Sequence, residues 1–521
     1  MARRNAPILV FVLSEASPIL AQRWIDAGKL PFLAQMARAG CAGTLENCAP
    51  LITTQMFADL YTGRGAQQHG IFDCIQRDSH GRFREMNRGM IGCDTLWDVI
   101  DQNRRTCGMV NLPLTWPPQS LNGYMISGQD SPSVDRGIAS PPDLYDTLIR
   151  KFGRYHLKDI FPGGRSKRDY LELFPQEIDW QSDVVAELIT RHPCDFFMTF
   201  FSATAMAQHY FWSDMEGAQK EDRYSDLIES VYRRLDTQLA RLARLARLAR
   251  LAGPEARIFV VSECGAGPLQ AGVNINAWLQ SQGFLLHLRP DQDGGYRTRA
   301  LSAAIGTAKR HLPESIKSFL VRQLPGLKAG AESYMLVSDV DWSTTTAYSR
   351  GKEGSIFVNL AGREPNGIVT AENYSRVVDR IAAQLSQLID PGTGKPAVTK
   401  VYRREELYPG CTNPGAPDLT VEWVNSMYMP MEANRRSNQV FGPRWRANMK
   451  WPTSGSHRRK GIFFAQGPGI DADHRVNDAQ ILDLFPTWLR MLEIPVPGDL
   501  PGGVLEYCCR DAVQMTEGSA P

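Results

Sequence analysis

Four side chains of this sequence have types and positions that suit metal binding or proton transfer. His209 follows an apolar run, and His457 lies in a segment rich in glycine and serine. Glu263 and Cys264 stand side by side directly after a second apolar run. Imidazole, carboxylate and thiolate groups are all ligands of zinc and similar metals. A single histidine is more often structural than a ligand, so the position of each residue in the fold has to decide its role.

The elements that position these residues are short apolar runs separated by longer amphipathic stretches. Short strands that alternate with helices predict parallel βαβ units and a mixed α/β sheet. Such sheets bind ligands at the carboxyl ends of their strands. The residues after each run, including Ser14, Glu263 and the segment 202–209, are therefore the places where we expect chemistry. The runs lie at 8–13, 106–111, 195–201, 257–262 and 461–465.

The composition excludes several classes of protein. The 521 residues are 43% apolar and 22% charged, which is typical of a folded chain with a large core. Length alone suggests about three or four domains. Lys and Arg number 58 and Asp and Glu 56, so the net charge of +2 provides no global attraction to nucleic acid or an anionic membrane. The ten cysteines have no paired spacing and predict neither a disulfide framework nor a structural zinc module.

The N-terminus has two interpretations. Arg3 and Arg4 before the apolar run at 6–13 are compatible with a short signal peptide. We favour a first strand, because the run is short and the residues at 14–18 are typical of a turn and a helix start. No uninterrupted apolar segment is long enough to predict a transmembrane helix. We therefore expect a cytoplasmic protein without membrane or nucleic-acid partners, and the oligomeric state is left open.

The remaining patterns concern domain organisation. Residues 224–253 predict one long helix that ends in a repeated Arg-Leu-Ala motif. Because a three-residue repeat drifts by about 60° per repeat on an α-helix, its leucines are expected to spiral around the helix. The weaker pattern at 284–345 predicts an inserted cap within an α/β domain that spans 1–505, and residues 506–521 are expected to form a C-terminal tail.

Several ordered motifs resemble the alkaline phosphatase superfamily, in the branch of predicted phosphohydrolases akin to type I phosphodiesterases and nucleotide pyrophosphatases. The resemblance runs from about residue 8 to residue 505 and is weakest across the predicted cap. It implies a three-layer α/β fold with a mostly parallel central sheet, and a site for two zinc or similar divalent ions. Proteins of that superfamily attack a phosphoryl or sulfuryl ester with a metal-activated Thr or Ser, and the two metals stabilise the attacking and leaving oxygens. The motifs lie at 111–118, 208–212, 357–369, 403–408 and 416–419.

By this resemblance the nucleophile is Thr53. The matching segments at 62–63 and 68–71 set the register, and Thr54 is an alternative shifted by one residue. The first metal site of the family uses an Asp four residues before a His, together with a distant His. His209 and His457 match these histidines, but Ala205 stands at the Asp position and cannot coordinate a metal.

The second metal site departs further from the family pattern. Ser14 stands where the family has an Asp, and Glu263 and Cys264 stand where it has an Asp-His pair. Of these positions, only Glu263 and Cys264 keep side chains that commonly bind metals. A neutral hydroxyl is a poor substitute for a carboxylate that must offset a divalent charge. Glu15 is adjacent to Ser14 but, on a strand, is expected to point to the opposite face. A standard two-zinc site is therefore not expected.

Two hypotheses follow. In the first, His209, His457, Glu263 and Cys264 bind one ion, Zn²⁺ or another divalent transition metal. Thr53 is then a nucleophile or a hydroxyl that positions the phosphoryl group of a small ester, and the reaction is hydrolysis or group transfer. Cys264 is an alternative nucleophile, with His209 or His457 as its base. In the second hypothesis the protein is a catalytically inactive relative that keeps the phosphate-ester cleft as a surface for binding or regulation.

Overall fold

The computed structural model describes residues 6–47, 49–77, 83–157, 159–160, 166–217, 222–248, 255–288, 340–350, 354–430, 438–442 and 453–510. The chain forms two compact units, the first made of Met1–His69, Asn87–Leu269 and Asn448–Pro521, and the second of Gly70–Met86 and Gln270–Ala447. Most of the cap predicted at 284–345 lies outside the described residues, as do residues 511–521 of the predicted tail. Both of these assignments stay predictions.

The secondary structure alternates between strands and helices over most of the chain. The helices are α1 (Pro18–Asp26), α2 (Pro31–Ala39), α3 (Thr53–Thr62), α4 (Ala66–His69), α5 (Leu96–Gln102), α6 (Pro142–Phe152), α7 (Asp169–Arg191), α8 (Ala203–Met215), α9 (Leu227–Leu248), α10 (Ile275–Ser281), α11 (Ala371–Leu385), α12 (Arg404–Leu407) and α13 (Ile481–Met491). Within the described ranges, none of them has the length and apolar character that crossing a membrane requires.

The strands are short, as the apolar runs predicted. They are β1 (Ile8–Leu13), β2 (Cys41–Glu46), β3 (Ile75–Arg77), β4 (Phe83–Glu85), β5 (Cys107–Leu112), β6 (Gly123–Ser127), β7 (Ala139–Ser140), β8 (Phe196–Phe201), β9 (Arg257–Val261), β10 (Gly265–Pro268), β11 (Ala271–Val273), β12 (Ala347–Ser349), β13 (Ser355–Val358), β14 (Ile389–Asp390), β15 (Lys395–Pro396), β16 (Val398–Arg403), β17 (Leu419–Trp423), β18 (Tyr428–Pro430), β19 (Phe441–Gly442), β20 (Gly455–Arg458), β21 (Lys460–Gln466) and β22 (His474–Gln480).

The first unit is built on a nine-stranded sheet in the order β22-β2-β21-β9-β1-β8-β5-β6-β7. The five central strands, from β9 to β6, are parallel to one another. β21 runs antiparallel to β9 and β2, and β7 runs antiparallel to β6. The prediction of an α/β fold with a mostly parallel central sheet is confirmed.

Helices cover both faces of this sheet, because alternate side chains of each buried strand point to opposite sides. In β8, Phe197 and Phe201 belong to the apolar core that also contains the buried side chains of α7, α8 and α9. Phe196 lies on the other face and packs edge-on against Trp488 of α13, with 5.5 Å between ring centroids. The result is the three-layer arrangement that the sequence predicted.

The register of the central strands brings the carboxyl ends of three of them together. Leu13 of β1 pairs with Phe201 of β8, and Val12 pairs with Val261 of β9. The chain therefore leaves β1, β8 and β9 at neighbouring points on one edge of the sheet. This edge carries the segments that begin at Ser14, at residue 202 and at residue 262.

The long helix α9 confirms the predicted drift of the Arg-Leu-Ala repeat. Leu242 is buried, Leu245 is half-buried, and Leu248 is 50% exposed. Each step of three residues thus rotates the leucine further from the core. The basic residues Arg244 and Arg247 between them are exposed.

The second unit contains an antiparallel sheet in the order β12-β13-β17-β16. The buried carboxylate of Asp418, directly before β17, accepts hydrogen bonds from Arg363 at 2.8 and 2.6 Å and from Arg404 at 2.7 Å. The hydroxyl of Tyr374 donates a further hydrogen bond at 2.8 Å. One buried carboxylate thus connects α11, α12 and the loop after β13.

Candidate metal centre

The loop after β1 changes direction at Glu15. β1 ends at Leu13, and Glu15 has a φ of 55°, in the left-handed region. The N–H of Ala16 donates to the carbonyl of Leu13 at 3.1 Å and closes a tight turn. The prediction that Glu15 points to the face opposite the ligands is wrong. Side chains alternate between the two faces only within a strand, and β1 ends two residues before Glu15. Ser14 and Glu15 are both buried.

His209 is held by the close approach of α8 and β20. Its Nδ1 lies 3.0 Å from the carbonyl oxygen of Gly455, and its own carbonyl accepts from the N–H of Ser454 at 2.7 Å. A Cβ atom at position 455 would lie 2.3 Å from the carbonyl oxygen of Gln208. Only glycine therefore allows the strand to approach near enough to position this imidazole.

His457 reaches the same place from β20 itself. It pairs with Ala266 of β10, and its Nδ1 lies 3.1 Å from the carbonyl oxygen of Leu51. Leu51 belongs to the loop that leads into α3. The strand and the loop thus fix the orientation of the second imidazole from two sides.

The two imidazoles and the Glu15 carboxylate converge on one point. Nε2 of His209 lies 3.1 Å from Oε1 and 2.9 Å from Oε2 of Glu15, and Nε2 of His457 lies 3.2 Å from Oε1. The candidate ligand atoms of all three residues lie within 4.8 Å of one another. Burial raises the pKa of Glu15, but the charges and hydrogen bonds of His209 and His457 outweigh burial and hold that pKa well below its usual range.

The hydrogen bonds of the histidines determine which atoms face this point. A carbonyl oxygen can only accept, so each Nδ1 carries the proton that it donates to Gly455 or Leu51. In the neutral imidazole the lone pair is then on Nε2 and faces the carboxylate of Glu15. Three lone-pair donors that meet in this way, with each histidine oriented by a carbonyl, are typical of a metal centre. Without a metal, doubly protonated imidazoles satisfy the same geometry as ion pairs with Glu15.

Ser14 and Glu263 form a separate pair next to the three converging residues. The Ser14 hydroxyl donates to Oε1 of Glu263 at 2.9 Å, and the Asn47 amide donates to the Glu263 carbonyl at 2.9 Å. Burial, together with the nearby charge of Glu15, raises the pKa of Glu263 to about 8. A carboxyl group with this pKa is protonated at neutral pH in the metal-free protein.

Cys264 is buried between β9 and β10. Burial and the charges of Glu263 and Glu15 raise the pKa of its thiol well above the usual value. Among the residues that the structure describes, the group of ligand atoms around His209 and His457 contains Glu15 and neither Glu263 nor Cys264. The structure thus brings together two of the four predicted ligands and adds a carboxylate that the sequence analysis had set aside.

The donor set fits one metal ion. Two histidines and one glutamate are a known protein ligand set of catalytic zinc, in which a fourth position stays open for water or substrate. At the position of the family's Asp in the first metal site, Ala205, one helical turn before His209, presents only a buried methyl group. The Ser14 hydroxyl donates a hydrogen bond to Glu263 and carries no negative charge that could offset the charge of a metal ion.

Thr53 is the first residue of α3 and is half-buried. It lies two residues after Leu51, whose carbonyl orients His457. The first N–H groups of a helix have no partner within the helix and attract anions. The predicted nucleophile therefore lies at the start of a helix whose preceding loop orients His457.

Comparison with known proteins agrees with this architecture. The model of the type I phosphodiesterase / nucleotide pyrophosphatase family matches residues 9–443. Murine ectonucleotide pyrophosphatase / phosphodiesterase 5, solved in an inactive form in complex with AMP, is 12% identical, with a TM-score of 0.53 over 97% of this chain and 99% of that chain. The human form is 11% identical, with a TM-score of 0.53 over the same shares of the two chains.

A third solved structure, phosphonoacetate hydrolase from Sinorhizobium meliloti 1021 in complex with phosphonoformate, is 13% identical, with a TM-score of 0.50 over 94% of this chain and 96% of that chain. No curated protein sequence matches the chain. At these identities the solved structures establish a common fold. Because the family model covers most of the chain and the sheet has the architecture that the motifs predicted, the protein belongs to the type I phosphodiesterase / nucleotide pyrophosphatase family of the alkaline phosphatase superfamily.

Proposed function

We propose that this protein is a divergent metal-dependent hydrolase or group transferase that acts on a phosphoryl or related ester through a single-metal site. The observation that carries the proposal is the convergence of Nε2 of His209, Nε2 of His457 and the carboxylate of Glu15. We assign Zn²⁺ or another divalent transition metal to this set. Bound there, such an ion supplies Lewis-acid polarisation of a phosphoryl oxygen.

The other roles in the proposed reaction belong to residues at the start of α3 and to Glu15. The start of α3 carries Thr53, two residues after the Leu51 carbonyl that orients His457. Thr53 either attacks the phosphorus or holds the phosphoryl group by a hydrogen bond. In the first case its hydroxyl proton passes to water as the bond from phosphorus to the leaving oxygen breaks, and water or an acceptor alcohol then takes the phosphoryl group and restores the hydroxyl. Glu15 offsets the charge of the ion and, together with its two histidine neighbours, leaves a position open to substrate.

The proposed substrate class is supported by the ligands of two similar structures. The murine and bacterial structures were solved with AMP and phosphonoformate, which both carry a phosphoryl or phosphonyl group. We extend this class to the present chain as a small-molecule phosphoryl or related ester. Which ester of this class is the substrate depends on the residues that contact the leaving group.

The proposal is tested by metal content and turnover measured on the same preparations. We expect purified protein to bind about one equivalent of Zn²⁺, and removal of the metal to abolish hydrolysis of aryl phosphate monoesters, phosphate diesters or sulfate esters. Thr53→Ala should lower kcat by at least ~10³-fold if the hydroxyl is the nucleophile. Thr54→Ala tests the alternative nucleophile one residue further along α3, and a larger loss of kcat there than in Thr53→Ala would assign the role to Thr54.

Two results contradict the proposal. One is a wild-type protein that binds no transition metal, and the other is turnover that persists unchanged after the metal has been removed. Equal activity of wild type and Thr53→Ala excludes that residue from its role.

A second candidate function is binding or regulation without catalysis. It is favoured by the buried methyl group of Ala205 and by the closed Ser14–Glu263 pair, which remove two charged ligands of the family site. Metal binding without turnover of any of the three ester classes would support this candidate over the enzyme.

A further inference from the structure

Helix α8 holds the Glu15 loop through two side chains that lie one helical turn apart. Thr204 Oγ1 donates to the carbonyl of Ser14 at 2.6 Å, and Gln208 Nε2 donates to the carbonyl of Glu15 at 2.9 Å. Both side chains are fully buried. The helix that carries His209 therefore also fixes the two peptide groups that flank the Cα atom of Glu15.

A second contact fixes the direction of the Gln208 amide. The Tyr232 hydroxyl, on α9, donates to Oε1 of Gln208 at 2.9 Å and accepts from the N–H of Ser17 at 2.7 Å. Because Ser17 N–H can only donate, the hydroxyl proton is directed to Oε1, and Nε2 of the amide is left to face Glu15. The reverse orientation would place Oε1 against the carbonyl of Glu15, with two acceptors and no proton between them.

This chain of hydrogen bonds determines where the Glu15 carboxylate lies. At a φ of 55° the side chain leaves the loop toward the histidines, and the carbonyl points to α8. Rotation of the backbone to the extended region would break the bond from Gln208 and carry the carboxylate away from His209. The two imidazoles need no such support, since the carbonyl of Gly455 orients His209 and the carbonyl of Leu51 orients His457.

We infer that Gln208, oriented by Tyr232, is a positioning residue that holds the Glu15 carboxylate in the metal centre. The inference rests on the proposed function, because it assumes that Glu15 and the two histidines bind a metal. It adds residues outside the ligand set, which act on the metal through the backbone of Glu15.

The test is Co²⁺ affinity of the metal-free full-length protein, followed by the visible absorption of the bound ion. Gln208→Ala is expected to weaken binding by about 10- to 100-fold, the range for groups that orient metal ligands. Tyr232→Phe keeps the ring and removes only the orienting hydroxyl, and we expect a loss of about threefold to tenfold. In both variants the absorption should change, because the carboxylate no longer approaches the ion in the same way.

The matched control is Gln181→Ala. Gln181 is also buried and donates through Nε2 to a backbone carbonyl, that of Phe200, at 2.6 Å. Its loss should lower thermal stability as the loss of Gln208 does, with Co²⁺ affinity unchanged. If Gln208→Ala does not fold, Tyr232→Phe decides the question alone.

The outcomes separate this inference from the proposed function. Wild-type protein that binds no Co²⁺ overturns both. Wild-type protein that binds Co²⁺, with Gln208→Ala and Tyr232→Phe within twofold of it, overturns the inference and leaves the proposed function standing. An equal loss of affinity in Gln181→Ala also overturns it, because the effect would then be one of general stability.

Discussion

Replacement of Glu15 by glutamine tests the metal centre most directly. The variant keeps the shape of the side chain and removes the negative charge from a group that is 5% exposed and lies 2.9 to 3.2 Å from two imidazole nitrogens. Removing one partner of a buried charge pair costs about 3–5 kcal/mol. At about 1.4 kcal/mol per factor of ten, this predicts a loss of metal affinity of about 100- to 4,000-fold.

The assay is competition for Zn²⁺ between the metal-free protein and a chromophoric chelator of known affinity. Glu263→Gln is the matched control, since Glu263 is as deeply buried, lies near Glu15 and belonged to the ligand set expected from the sequence. We expect this control to bind Zn²⁺ within about tenfold of wild type. Zinc affinity of Glu15→Gln within threefold of wild type would refute the reasoning, and a larger loss in the Glu263 variant would restore the sequence-based ligand set.

A compensating change extends this prediction. Ala205 lies four residues before His209 on the same face of α8, at the usual spacing of neighbouring helical side chains. Ala205→Asp in the Glu15→Gln background therefore returns a carboxylate next to the histidines from another element. We expect Zn²⁺ affinity to recover by at least about tenfold, and affinity no higher than that of Glu15→Gln alone would contradict it.

Three further predictions concern other buried groups. Cys264→Ala should leave Zn²⁺ affinity within about threefold of wild type, and native Cys264 should resist thiol reagents, because its thiol is buried and its pKa is raised; loss of zinc from the variant would contradict this. In the metal-free protein, folding raises the pKa of Glu263 from 4.5 to about 8, so the folded state keeps a proton that the unfolded state releases. The free energy of unfolding should then fall as pH rises from 4.5 to 8, by at most about 1.4 kcal/mol per pH unit, and urea titrations of Glu263→Gln should lack this fall. Asp418→Asn should lower the free energy of unfolding by about 3–5 kcal/mol, because Arg363 and Arg404 lose their buried counter-charge; a loss below about 1 kcal/mol in urea titrations would contradict this.

The fold could be predicted because buried parallel strands leave continuous apolar runs in the sequence. The runs at 8–13 and 257–262 correspond to β1 and β9 within one residue. The parallel order of the strands then places their carboxyl ends at one edge, which is why His209 could be recognised as a candidate ligand from its position.

The role of Glu15 could not be predicted in the same way. A left-handed conformation at a residue other than glycine has no local signature, and β1 ends at Leu13, two residues before Glu15. The turn-forming residues at 14–18 were the available signal, because side-chain alternation ends where a turn begins. Cys264 lies outside the ligand group because of the path that the chain takes between β9 and β10. That path cannot be predicted from the residue types alone.

The left-handed backbone conformation of Glu15 also has an energetic cost. A residue with a Cβ atom in the left-handed region carries a cost of about 1–2 kcal/mol, which glycine avoids. Glycine at position 15 would also leave the two buried imidazoles without their carboxylate partner, at a cost of about 3–5 kcal/mol that exceeds this gain. Glu15→Gly is therefore expected to lower thermal stability as well as metal affinity, so the ion pairs of the metal-free protein keep the carboxylate in place.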